Sequence, residues 1–150
     1  MTQVIQRRRR LLQAACAAGL SALLPAARAC EYFTTTLRVI HPWTRASDAG
    51  ADSALISMKF DDVTRSDRLI AVTTPVAESA ALGGRLAAAE MSFLIPAGRE
   101  TQLSEIGTFI RLSGLKHPLE MGRSYPLTLV FEHGGSVAAS LSVDYESRNG

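Results

Sequence analysis

Residues 107–132 alternate apolar and polar side chains on both sides of a bend rich in glycine and proline, and a period of two commits a chain to strands. In the first segment Ile110 and Leu112 face one way and Phe109, Arg111 and Ser113 the other, because successive strand side chains point to opposite faces. In the second, Leu127, Leu129 and Phe131 oppose Thr128, Val130 and Glu132, the pattern of a half-buried strand.

The same pattern recurs along the chain. Leu37, Val39 and His41 alternate with Arg38 and Ile40 in a first strand, which Pro42 is expected to end or to confine to a sheet edge. Trp43-Thr44-Arg45-Ala46 then runs into a loop holding Asp48, Gly50 and Asp52. Ala54, Ile56, Met58 and Phe60 form the core face of a second strand, and a polar turn from Asp61-Asp62 through Asp67 precedes a third over residues 68–74. Residues 76–91, alanine-rich with Gly83-Gly84 inside, read equally as a helical turn or as a strand and loop. Short strands follow at Phe93 to Ile95 and Thr101 to Leu103. At the end, His133-Gly134-Gly135 joins two alternating runs, since glycine supplies the positive φ of a tight hairpin turn. About seven to nine such strands predict an all-β antiparallel sandwich or barrel.

The chain opens with Arg7 to Arg10, an apolar run from Leu11 to Leu24, and the small-residue site Ala27-Arg28-Ala29. This predicts a cleaved signal peptide over residues 1–29 and a single domain over residues 30–150, without a membrane span after cleavage. Arg8-Arg9-Arg10-Leu11-Leu12 also resembles a twin-arginine signal, so the route stays open. Gln13, three residues before Cys16, argues against a lipoprotein site there. Five of the 16 basic residues and none of the 14 acidic ones lie in the signal, so the remainder carries eleven against fourteen, a net −3. Such a surface has no footprint for nucleic acid. Cys30 is the lone cysteine after cleavage, which excludes an internal disulfide and Cys-x-x-Cys chemistry.

No catalytic motif is present: there is no Gly-x-Ser-x-Gly, no His-Glu-x-x-His and no phosphate loop, and Asp61-Asp62 reads as a solvated turn. An enzyme is not expected.

His41-Pro42-Trp43-Thr44-Arg45-Ala46, Asp67-Arg68-Leu69, Thr74-Pro75-Val76-Ala77-Glu78, Ile95-Pro96-Ala97-Gly98, Gly114-Leu115-Lys116-x-Pro118-Leu119 and Pro126-Leu127-Thr128-Leu129-x-Phe131-Glu132, in that order, resemble the periplasmic copper chaperone family PCuAC over residues 37–145. The resemblance implies a cupredoxin-like Greek-key β-sandwich in the periplasm that carries Cu(I) toward the copper centre of cytochrome oxidase, with oxidase assembly proteins as partners. It also implies a His, a Met and a His-x-Met pair as ligands, a soft donor set suited to Cu(I). Carried over, those positions fall near Gly83, Ala87, Phe109 and Arg111. None of these can ligate copper, and the guanidinium of Arg111 would repel it. No catalytic, cofactor-binding or metal residue is therefore assigned, and Cu(I) enters only through the resemblance.

The other donors are Cys30, His41, Met58, Met91, His117, Met121 and His133. Met58 is expected in the core and His133 in an exposed turn, while His41 reads as a strand-end residue. Cys30, His117 and Met121 remain the candidates for a relocated site. Two functions follow: a copper-chaperone homologue whose usual metal site is lost, or a metal-free binding protein that uses Phe109 and Arg111 as a partner contact.

Overall fold

The computed structural model describes residues 30–148, so the expected signal segment lies outside the described residues. The described chain is all-β: β1 (Glu31–Phe33), β2 (Arg38–Arg45), β3 (Ser53–Asp61), β4 (Asp67–Thr73), β5 (Ala77–Gly84), β6 (Phe93–Ile95), β7 (Thr101–Leu103), β8 (Thr108–Leu115), β9 (Ser124–Phe131) and β10 (Gly135–Tyr145). Their order is β5-β8-β3-β2-β10-β9-β4-β6, with β1 on β2 and β7 on β3. The expected cupredoxin-like sandwich is the fold observed.

The alternation read from the sequence fills its interior. Ile56, Met58 and Phe60 of β3, Ile110 and Leu112 of β8, and Leu127, Leu129 and Phe131 of β9 are all buried in one cluster. Phe131 meets Phe60 edge-on with centroids 6.0 Å apart, a favoured aromatic geometry. β8 and β9 do not pair with each other. β8 lies between β3 and β5, and β9 between β10 and β4, so the bend after Leu115 carries the chain to another part of the sheet.

Pro42 neither ends β2 nor sits at an edge. It is buried inside that strand, which lies between β3 and β10. The register of β2 against β3 slips between Ile40 and Trp43, and His41 takes φ 48°. A bulge at this point leaves one residue outside the ladder, and proline, with no N–H to donate, occupies the irregularity at little cost. Trp43, Thr44 and Arg45, expected in a loop, continue the strand and pair with β10 in parallel, while every other strand pairing is antiparallel. A second slip falls between Val143 and Tyr145 of β10. His41 Nε2 and Asp144 Oδ2, 2.5 Å apart, join the two irregularities.

The alanine-rich segment resolves into β5 and a turn, with the Ala88 N–H returning to the Leu82 carbonyl at 3.1 Å. Asp61, expected in a solvated turn, ends β3 and receives the Nε and Nη2 of Arg38 at 2.7 and 2.6 Å. These bonds hold its carboxyl below the usual carboxylate range, against the opposing effect of burial.

Asp67 is not part of a solvated turn either. It is 1% exposed at the start of β4. Oδ1 accepts the N–H groups of Arg68 (2.8 Å) and His133 (2.9 Å), and Oδ2 accepts the Gly134 N–H (2.8 Å) and the Thr36 hydroxyl (2.7 Å). Burial pushes this carboxyl up, but the four donors outweigh burial and hold it below its ordinary value. One carboxylate thereby ties the β1–β2 corner, the start of β4 and the β9–β10 turn.

Candidate functional site

β5 is built of small residues, Ala-Glu-Ser-Ala-Ala-Leu-Gly-Gly, and pairs with β8 so that Gly83 stands opposite Phe109, Ala81 opposite Arg111 and Gly84 opposite Thr108. Paired residues share a face, so the Phe109 ring lies over Gly83. A Cβ on Gly83 would come within 2.3 Å of Phe109 Cε2. The ring is consequently only 8% exposed although Ile110 and Leu112 already fill the other face of the strand. The Arg111 guanidinium sits over it at 5.7 Å from the centroid, within cation–π range. Ala87 lies in the turn after β5, its N–H donated to the Gly84 carbonyl at 3.2 Å.

The four positions that the resemblance assigns to copper ligands thus fall at one end of the β5–β8 pair. Their chemistry does not fit the ion. Glycine, alanine and phenylalanine offer no soft lone pair, and a guanidinium has none at all.

The remaining donors are dispersed. Met58 is 2% exposed in the core, as expected. Met91 packs against that core, whereas the His117 ring lies on Tyr125 at 5.6 Å and its Nδ1 is 2.9 Å from the Pro118 carbonyl. Met121 is 49% exposed, Cys30 and His133 are exposed, and His41 is engaged by Asp144. Among the described residues no group of three or more His, Cys, Asp and Glu side chains is arranged to hold a metal ion.

A second polar centre escaped the sequence reading. Arg45 Nε donates to Glu105 Oε1 at 2.8 Å, and Arg148 pairs with Oε2 of the same carboxylate, whose side chain is 9% exposed. The Arg45 guanidinium also stacks on Trp43 and Tyr145, 6.0 and 5.3 Å from their centroids. Beside it lies a cavity of about 210 Å³ whose walls include Asp48, Ala54 and Leu55. Only the clustering of Trp43 and Arg45 in one motif could have flagged it, because Glu105 lies 60 residues away.

The fold is that of the PCuAC copper-chaperone domains, as its structural neighbours show. A copper-bound PCuAC domain from PmoF2 superposes with a TM-score of 0.70 at 26% identity, covering 77% of this chain and 97% of that one. The apo PCuAC domain from PmoF1 does so with a TM-score of 0.70 at 30% identity, covering 77% and 98%. The chain belongs to the LpqE-like lipoprotein family, whose model matches residues 37–143. A relative from Leifsonia xyli subsp. xyli (strain CTCB07), named as lipoprotein Lxx21020, is 29% identical over 126 residues, covering 75% of this chain and 73% of that protein.

The contact of Phe109 with Gly83 is directly testable. Gly83→Ala is expected to cost about 2 kcal/mol, as overpacking does. In a Phe109→Leu background, which removes Cε2 and Cζ, the same substitution should cost about 1 kcal/mol less. Urea denaturation of the four proteins measures the coupling, and strict additivity would mean that ring and glycine do not compete for the same space.

Proposed function

We propose that this is an exported PCuAC-like protein that serves copper handling in the periplasm, toward assembly of the copper centre of cytochrome oxidase, without gripping Cu(I) at the positions the family resemblance assigns to its ligands. The observation that carries the reading is the Phe109 ring seated on Gly83, with Arg111 above it. Carbon and a fixed cation stand where soft donors would be needed. The lipoprotein names of the family and of the Leifsonia relative support export. The copper-bound state of the PmoF2 domain supports the link to copper.

A second reading is a metal-free binding protein that uses the same end of the sandwich as a protein contact. It is favoured by the exposed Arg111 beside an aromatic ring, a common interface pairing.

Titration with Cu(I) against a competing chelator under reducing conditions tests the first reading. Stoichiometric uptake abolished by Cys30→Ala or His117→Ala would establish a relocated site and support this reading. No uptake tighter than the chelator would leave only partner binding and favour the second.

A further inference from the structure

The same end of the β5–β8 pair leaves two apolar and two cationic side chains uncovered. Ile106 is 87% exposed and Leu86 59%, each in a turn. The Arg85 N–H donates to the Gly107 carbonyl at 3.2 Å and holds the two turns side by side. Arg85 and Arg111 are exposed. Among the described residues neither guanidinium has an acidic side chain within ion-pair distance. Of the acids nearest in sequence, Glu105 is consumed by Arg45 and Arg148, and the exposed Glu90 forms no ion pair with either guanidinium.

A chain whose residues 30–150 carry a net −3 therefore presents two unpaired cations at the place where it also exposes Ile106. Large apolar side chains rimmed by arginine are the composition of a protein interface, and uncompensated charge selects a partner of opposite sign. We infer that the rim formed by Leu86, Ile106, Arg85 and Arg111 docks an acidic segment of another protein that carries apolar side chains between its carboxylates. The carboxylates would meet the two guanidiniums, and the apolar side chains would cover Leu86 and Ile106. This deepens the second reading of the site, the protein contact, by naming the chemistry of the partner.

Fluorescence anisotropy with a labelled peptide alternating glutamate and leucine, run on the purified protein, tests it. A lysine–leucine peptide and a single-stranded oligonucleotide of matched charge serve as competitors. Saturable binding of the acidic peptide is expected, weakened about tenfold by joint Arg85→Glu and Arg111→Glu and about threefold by Ile106→Ser. Arg99→Glu, in the turn that lies with Asp62 and Thr64 instead of on the rim, should leave it unchanged, and thermal melts check that each variant is folded. Absence of binding, equal weakening by Arg99→Glu, or equal binding of the oligonucleotide would overturn the inference. A Cu(I) titration on the same preparation is read separately: copper uptake with peptide binding intact would sink the metal-free reading and leave the docking rim standing.

Discussion

Asp67→Asn is expected to destabilise the fold by about 3 kcal/mol, a drop in Tm of roughly 10 °C. The carboxylate is buried and accepts four hydrogen bonds, and among the described residues no basic side chain is paired with it. Its negative charge is balanced by N–H and O–H dipoles alone. An asparagine keeps the shape but turns an NH₂ toward donors at one of the two oxygen positions, so two donors there lose their acceptor. A buried donor left without a partner costs about 1–3 kcal/mol. The pH dependence has a fixed sign. The folded-state pKa is lowered, so the stabilisation is full above the unfolded value of about 3.9 and is lost as pH falls through the folded value below it. Stability measured by urea denaturation should be level from neutral pH down to about 5 and fall below about 4. Asp67→Asn should flatten part of that acid limb, the rest belonging to Asp61, whose carboxyl is lowered by Arg38. An acid limb unchanged in the variant would remove Asp67 from this role.

Gly84→Ala is expected to cost about 3–4 kcal/mol, from a strained φ and a steric clash together. Gly84 has φ +79°, and a Cβ there would lie 2.0 Å from the Gly107 carbonyl oxygen. Backbone cannot swing aside as a side chain can. Gly98 is the matched control: its φ is +77° with nothing within 4 Å, so Gly98→Ala should cost about 1 kcal/mol, the conformational part alone. The difference between the two variants, read from denaturation midpoints, isolates the clash. Equal costs would mean that the turns after β5 and before β8 are not held in contact.

Where the sequence carried a pronounced two-residue period, the fold was legible. Ala54-Ile56-Met58-Phe60 and Leu127-Leu129-Phe131 are buried as read, and the strands at 93–95 and 101–103 and the glycine hairpin fall where turn chemistry put them. Two elements were not legible, for different reasons. β5 is made of residues with weak strand preference, and only its pairing with β8 makes it a strand, a tertiary effect absent from local sequence. Pro42 reads as a breaker because the rule presumes a regular ladder, and the bulge at His41 removes that premise. Asp67 was hidden because three of its four partners come from two distant segments, Thr36 and His133-Gly134. The candidate site was half legible. The positions of Gly83, Phe109 and Arg111 followed from the family resemblance and meet in space, but the packing of the ring against the glycine is visible only once strand register is known.

The placement of β10 governs whether this sheet is continuous. β10 joins β2 on one side to β9 on the other. Among the described strands, β5-β8-β3-β2 and β9-β4-β6 pair with each other only through β10, residues 135–145. Loss of β10 alone would therefore cut the sheet into two halves joined only by loops and by the side chains of their shared core.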